Sequence, residues 1–599
     1  MRSFRRSLAA VAVGFTLGPG AASAQFSNTF IFGDSLSDAG QYGARFTTNP
    51  GLSFPMYTAQ AFGLSTTPSF QGGNDFAQGG ARLNVPAAGL PPGTPNFTIT
   101  QQVNNFIAAG TVDRNALYQL QGGANDIRAL AVAALSGQIT PAQLQAGVSQ
   151  TAVDLATLAA RLQGAGARYI VVYGMPDIGL TPEAAAANAQ ASLTALSNLY
   201  NSTLDASLAA AHVQVIRVNQ AGLMREIFAS PATYGFTNVT APVCTTSSAL
   251  TCTPATLRDP AGNLTWAFAD GIHPTTGLAL IAAQQAVSMI EAPAMIGTLA
   301  EAPINVEHAA FRNIDARMIG AVGAPKPTNR FNPWVSYDYG NRDVTGPFVS
   351  GDSRANTIAV GGDMYLTSQL LLGVAFNYTE DKNDFGAGAG GFKLKETAAT
   401  LYAGYGQGPW WFGATLGAGD LQYDDVHRNI QLGPVTRRES GDTNGSHIMA
   451  SVLGGYWFAA GTLLHGPFVR VAWQDITVHG FSESGSDSTA LSYGEQKRKS
   501  LITSAGWQAT GQLGMVRPFA RVTWEFEGKD DDRTVSATPV GGPGGYSMPT
   551  LKPDDNYVRY LLGAAMDFGR VTGYITGEGV SSRSDGNGYG ITVGMRVPI

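Results

Sequence analysis

Two periodicities divide the chain. Up to about residue 290, short apolar runs alternate with alanine-rich stretches. Phe30–Phe32, Leu117–Gln121, Tyr169–Tyr173 and Val213–Val218 read as buried strands, and Pro141–Leu162, Ala184–Leu208 and Gly277–Ile290 as helices. That alternation predicts an α/β domain on a parallel sheet. Leu193, Leu196, Leu199 and Leu204 recur at roughly helical spacing and read as a core face. From about residue 330 the period becomes two. In Arg517–Glu527, Pro518, Ala520, Val522, Trp524 and Phe526 share one face, and Arg517, Arg521, Thr523, Glu525 and Glu527 the other, with Phe519 the one apolar exception. Val558, Tyr560, Leu562, Ala564, Met566 and Phe568 alternate likewise, as do Ile591, Val593, Met595 and Val597 at the end of the chain. About twelve such segments of roughly ten residues fit tilted strands across a bilayer. A soluble sandwich also alternates, but here large apolar residues recur on strand after strand with no helices to cover them. The expectation is a 12-stranded antiparallel transmembrane β-barrel. Its external loops are expected at Thr436–Ser446, Ser482–Thr489 and Lys529–Asp555, and interfacial aromatics at Trp410, Trp411, Trp473 and Trp524.

Composition agrees with this division. Of 599 residues only 13% are charged, 74 are glycine, and the first lysine is Lys326. A net charge of −6 leaves no basic surplus to neutralise phosphates, so a nucleic-acid partner is not expected. Arg2, Arg5 and Arg6, the apolar stretch Leu8–Leu17 and Ala22-Ser23-Ala24 form an export signal over residues 1–24. The remaining organisation is an α/β domain over 25–291, a connector over 292–329 with a helical stretch near Glu307–Met318, and the barrel over 330–599. Cys244 and Cys252, the only cysteines, are expected to form a disulfide in an exported protein. Two thiols without a nearby histidine pair do not make a zinc site, and no metal or cofactor is expected.

Four stretches of the first half carry candidate chemistry. The strand ending at Phe32 runs into Gly33-Asp34-Ser35, which places a serine hydroxyl at the sheet edge where α/β proteins bind ligands. Asn74-Asp75-Phe76-Ala77-Gln78-Gly79-Gly80-Ala81 is a small-residue turn whose backbone N–H groups a ligand can approach. Gly122-Gly123-Ala124-Asn125-Asp126 sets an amide side chain at another strand end, and Asp270-Gly271-Ile272-His273-Pro274 pairs an acid with a histidine ahead of a helix. Each alone is most simply a turn or a helix cap.

In this order the four stretches resemble the sequence blocks of the GDSL (SGNH) hydrolases, over about residues 28–290. The resemblance implies a three-layer flavodoxin-like fold and an esterase, lipase, thioesterase or carbohydrate deacetylase. It assigns Ser35 as nucleophile, His273 as its base and Asp270 as the group that orients the imidazole. The oxyanion donors would be the Ser35 N–H, the Asn125 amide and a glycine, Gly80 in preference to Gly79. Asp34 and Asp126 would brace turns, and Tyr173–Pro182 would form a loop at the mouth of the site. No G-x-S-x-G elbow follows a strand, which disfavours the α/β-hydrolase fold. The order of export signal, passenger, connector helix and terminal barrel resembles the autotransporter esterase/lipase family. That likeness implies a connector helix in the lumen, insertion by the barrel-assembly machinery, a monomer, and a passenger at the surface of a Gram-negative outer membrane acting on esters or lipids. Such barrels usually end in an aromatic residue, whereas this chain ends Val597-Pro598-Ile599. The competing readings are a carbohydrate O-deacetylase and a non-catalytic adhesin.

Overall fold

The computed structural model describes residues 26–87, 95–110, 112–306, 312, 314–315, 328–485, 487–542 and 544–597. The export signal lies outside them. In the first half β1 (Thr29–Phe32), β2 (Leu117–Leu120), β3 (Tyr169–Tyr173) and β4 (Ile216–Val218) form a parallel sheet in that order. On the free side of β1, Ile31 bridges Asp75, with its N–H donating to the Asn74 carbonyl at 3.1 Å. Counting that bridge as the second strand in the chain gives the order 2-1-3-4-5 of flavodoxin-like sheets.

Both faces of the sheet are covered, which is why its strands are mostly apolar, with Gln119 of β2 and Arg217 of β4 the interior exceptions. Ile170 and Val172 enter one core with Phe32, Val103, Leu155 and Tyr200. Tyr169, Val171 and Tyr173 enter the other with Phe54, Ile216 and Met289. The stretch expected as one helix over Ala184–Leu208 is two, Pro182–Ala186 and Gln190–Ala210. The break falls at Asn188, whose φ of 51° is the left-handed conformation asparagine tolerates. The last strand starts later than expected, at Ile216.

The twelve long strands of the second half close into one antiparallel barrel. Gly588–Arg596 pairs with Phe331–Gly346, and Val435–Tyr456 with Leu463–Val478. Val522, Trp524 and Phe526 are about half exposed outside, while Arg521, Thr523, Glu525 and Glu527 are buried inside. Trp410 and Trp524 face outward, but Trp411, expected beside them, is buried against Trp457 and Phe468. Adjacent residues of a strand must point to opposite faces, so Trp410 and Trp411 could not share a girdle. Two expected loops are also strand. Residues 436–446 lie within the strand Val435–Tyr456, and 529–555 contains the small strands Thr534–Pro539 and Tyr546–Pro549.

The two halves meet through the helix Thr276–Ile296, which runs on past residue 291 and includes Pro293. Its Met289, Ile290, Met295 and Ile296 share a buried cluster with Leu421, Tyr423, Ile476 and Val478 of the barrel strands. Most of 307–318 is outside the described residues. Of the three that are described, Arg312 pairs with inward-facing Asp338 at 2.6 Å and Glu578 at 2.9 Å, and Asp315 with Arg521 at 2.7 Å. These residues therefore lie inside the barrel wall.

Candidate active site

Ser35 stands in the turn that ends β1. Gly33 is held on both sides by the Gln102 side chain, whose Oε1 accepts from its N–H at 2.9 Å and whose Nε2 donates to its carbonyl at 3.0 Å. A Cβ at Gly33 would meet Gln121 Oε1 at 2.9 Å and the Gln121 carbonyl at 3.0 Å, so a larger residue would push the Gln121 side chain aside. Asp34 is buried and accepts from the Leu36 N–H at 3.0 Å and Gln121 Nε2 at 3.2 Å. Burial raises its carboxyl above the ordinary value. The turn is thus fixed by side chains on either side of the serine, and the Ser35 hydroxyl stays uncommitted to the scaffold.

That hydroxyl lies 2.9 Å from His273 Nε2. The other ring nitrogen, Nδ1, is 2.8 Å and 3.0 Å from the two Asp270 oxygens. Asp270 also accepts from the backbone N–H groups of His273 (2.8 Å), Ile272 (3.0 Å) and Ala249 (2.7 Å). Its burial would raise the carboxyl, but the hydrogen bond and charge of the His273 ring and the Ile272 and His273 N–H groups outweigh it and hold it at about 2. The Phe46 ring packs on the imidazole at 5.0 Å between centroids.

The glycine pair Gly79-Gly80 lies beside Phe46, the ring that packs on His273. The Gly79 N–H is spent on Asp38 Oδ2 at 2.8 Å, and a Cβ on Gly79 would strike the Phe46 ring. Gly80 has a φ of +77°, and its N–H has no partner among the described residues. The Asn125 amide, at the start of the helix Ala124–Leu135, donates to the Ala81 carbonyl at 3.1 Å and keeps a second N–H toward the cleft. Asp126 braces the same turn from the Leu83 N–H at 3.1 Å.

From Ser35 and His273 an apolar trough of about 1410 Å³, counting the space open to solvent, runs between helices. Its lining includes Val132 and Leu135, Leu223, Met224 and Leu278, and Pro176, Ile178 and Thr181 of the loop after β3. Sequence reasoning missed these walls, which come from well-separated helices and loops. It also missed Asp38, which spends the Gly79 N–H, and Ala249. Cys244 and Cys252 are joined, with Cα atoms 5.7 Å apart, and the loop they close delivers the Ala249 N–H to Asp270. The even cysteine pair was the only signal of that loop. Among the described residues no acid, histidine and cysteine cluster could hold a metal.

A flavodoxin-like domain with a serine at its sheet edge is thus joined to a closed antiparallel barrel whose outer face carries apolar side chains. Residues 29–285 match the GDSL-like lipase/acylhydrolase family and residues 334–578 the autotransporter β-domain. Esterase EstA of Pseudomonas aeruginosa is 30% identical over 91% of this chain and 91% of that protein. A protein of Pseudomonas putida described as uncharacterized, from the trpE-trpG intergenic region, is 32% identical over 86% of this chain and 91% of its own length. The translocator domain of the autotransporter NalP of Neisseria meningitidis aligns with 50% of this chain and 98% of its own, at 15% identity and a TM-score of 0.41. The chain belongs to the GDSL esterase/lipase autotransporters, carboxylic ester hydrolases that present an N-terminal passenger at the outer-membrane surface.

Proposed function

We propose that the passenger hydrolyses carboxylic esters through an acyl-enzyme at Ser35, and that the trough takes the acyl chain. The supporting observation is the chain of contacts from Ser35 Oγ to His273 Nε2 and from His273 Nδ1 to Asp270, at 2.9 Å and 2.8 Å, with Ser35 and His273 lining an apolar trough. A serine hydroxyl is a weak nucleophile until a base removes its proton. His273 Nε2 takes that proton as Oγ attacks the ester carbonyl carbon, and Asp270 stabilises the imidazolium that forms. Charge moves to the former carbonyl oxygen, and the Ser35 and Gly80 N–H groups and the Asn125 amide are the donors offered to it. His273 then protonates the leaving alkoxide and frees the alcohol. In the second half-reaction His273 draws a proton from water, the hydroxide attacks acyl-Ser35, and the carboxylic acid leaves with Oγ reprotonated.

The apolar walls favour fatty-acyl esters over O-acetyl sugars, whose polar alcohols would find few partners there. The passenger works outside a Gram-negative cell, and insertion of the chain as a monomer by the barrel-assembly machinery goes with that reading. The test is Ser35→Ala in the full-length chain. Nitrophenyl-ester turnover is expected to fall by about 10³-fold or more, and fluorophosphonate labelling of intact cells to vanish. Equal turnover by variant and wild type would sink the mechanism. Release of acetate from acetylated sugars faster than of longer fatty acids would favour the deacetylase reading.

A further inference from the structure

The helix Gln220–Ala229 presents Leu223 and Met224 to the trough. Its Glu226 carboxylate turns away from it, toward the second half of the chain. It accepts from Arg437 Nη2 at 2.6 Å, the Ser488 N–H at 2.8 Å and Ser488 Oγ at 2.9 Å. Among the described residues, no passenger group bonds that carboxylate. Arg437 belongs to the barrel strand Val435–Tyr456 and also donates to Tyr234 Oη at 2.8 Å and Thr489 Oγ1 at 2.9 Å. Arg437 and Glu226 are largely shielded from solvent, with side-chain exposures of 11% and 22%. The neighbouring strand, Trp410–Leu432, ends in Ile430 and Leu432, which are buried in one cluster with Leu223, Met224, Phe268 and Leu278. All four of these passenger residues line the trough. The tip between the strands is seated as well. The Gly433 N–H donates to Gln284 Oε1 at 2.7 Å, and Pro434 packs against Gly235.

We propose that this barrel hairpin is a positioning element of the enzyme: Ile430, Leu432 and Arg437 hold the helix Gln220–Ala229 so that Leu223 and Met224 form the acyl-chain wall. The hairpin touches none of Ser35, His273 or Asp270, so it acts on the chain pocket and not on bond breaking. The barrel thereby sets which acyl chains the passenger accepts. This inference rests on the reading that the trough binds the acyl chain of an ester attacked by Ser35.

The experiment uses the full-length protein in outer-membrane vesicles, with Arg437→Ala, Arg437→Lys, Glu226→Gln and the tip variant Ile430→Ala/Leu432→Ala. kcat and KM are measured on nitrophenyl acetate and nitrophenyl dodecanoate, with fluorophosphonate labelling of Ser35 recorded for each. Acetate kinetics and labelling are expected to stay within twofold of wild type. KM for dodecanoate is expected to rise about tenfold in Arg437→Ala and the tip variant, and less in Arg437→Lys and Glu226→Gln. The inference is overturned if both esters fall together, or if neither changes. If Arg437→Ala fails to reach the membrane, the milder Glu226→Gln and Arg437→Lys decide by the same criterion. Absence of labelling in wild type would instead remove the underlying reading, and is thereby distinguished from failure of the hairpin's role.

Discussion

Among the described residues are two buried histidine–carboxylate pairs, one in each half. His273 Nδ1 meets Asp270 at 2.8 Å in the passenger, and His447 Nδ1 meets Glu396 at 2.8 Å inside the barrel. The pairs differ at the second ring nitrogen. Nε2 of His273 faces the Ser35 hydroxyl beside a cleft, whereas Nε2 of His447 faces Gln474 Oε1 at 3.1 Å, and His447 is fully buried. Gln474 is an amide with no proton to lose in catalysis and no substrate can reach it. An imidazole held by a carboxylate is therefore a structural ion pair or a catalytic base according to its third partner and its access. The same contrast runs through both halves. Barrel charges are spent on one another, as in Arg312 with Asp338 and Glu578, or Arg498 with Glu301 and Glu527. The passenger keeps a few groups unspent around Ser35.

Exchanging either histidine for alanine is the strongest way to break that comparison. His273→Ala is expected to lower kcat/KM on nitrophenyl acetate by about 10⁴-fold or more, since among the described residues no other side chain hydrogen-bonds the Ser35 hydroxyl. His447→Ala is expected to leave the same kinetics within twofold and to lower the temperature at which the barrel unfolds in detergent, because Glu396 loses its partner in a closed interior. An activity loss from His447→Ala comparable to that of His273→Ala would refute the contrast.

Arg312→Leu tests the other side. It strips one partner from Asp338 and Glu578, and removal of one member of a buried pair typically costs about 3–5 kcal/mol. The expected cost is near the low end. Thr592 Oγ1 still donates to Asp338 at 2.5 Å and Arg559 still pairs with Glu578 at 2.5 Å. Heat-modifiable gel migration of the barrel measures the loss, and esterase activity is expected to be unchanged below the shifted transition. Unchanged barrel stability would mean that these lumen pairs are not holding the connector.

Within the passenger, Asn125→Ala probes the unspent donors. If the amide serves the oxyanion, kcat falls by about 10²–10³-fold with KM little changed. The Ala81 carbonyl also loses its 3.1 Å partner. A rise in KM with kcat intact would reassign Asn125 to substrate binding.

How much of this was readable beforehand differs between the halves for a physical reason. A parallel sheet covered on both faces demands mostly apolar strands, so Tyr169–Tyr173 was visible to the residue. Barrel strands were visible where lipid forces the outer face to be apolar. Above that band solvent lets the outer face turn polar, and residues 436–446 continue as strand while reading as loop. In the site, Ser35, Asp270 and His273 sit at a strand end or turn and Asn125 at a helix start, where local sequence announces them. Asp270's third backbone donor, Ala249, comes from a loop placed by a disulfide, and the trough from side chains of several helices. Tertiary packing decides both, and no local pattern encodes it. The seating of Glu226 on Arg437 belongs with them, since its two residues lie in different domains and each reads alone as a surface charge.

The smallest expected effect concerns the acids bracing the passenger turns, Asp34 and Asp126, which unlike the lumen acids form no ion pair among the described residues. Asp126 accepts from the Leu83 N–H at 3.1 Å. Burial, with the charge of Asp34 adding to it, outweighs that bond and the nearby Arg82 and raises the carboxyl from 3.8 to about 6. A value raised in the fold means that the folded state holds the proton more tightly than the unfolded chain does. The stability this contributes is complete below about 3.8 and is lost as pH rises through about 6. At neutral pH the ionised group then costs at most about 3 kcal/mol. Asp126→Asn keeps an oxygen for the Leu83 N–H and removes the charge. It is expected to raise the passenger's unfolding temperature at about pH 8, with the gain shrinking between pH 6 and 4 and gone below that. Asp126 does not line the trough, so activity should move by no more than a few-fold. Thermal unfolding followed by tryptophan fluorescence across that pH range makes the measurement. A variant less stable at pH 8 would show that the negative charge in the first turn of the helix Ala124–Leu135 is worth more to the helix dipole than its burial costs, and that unpaired acids here are held for the helix they cap.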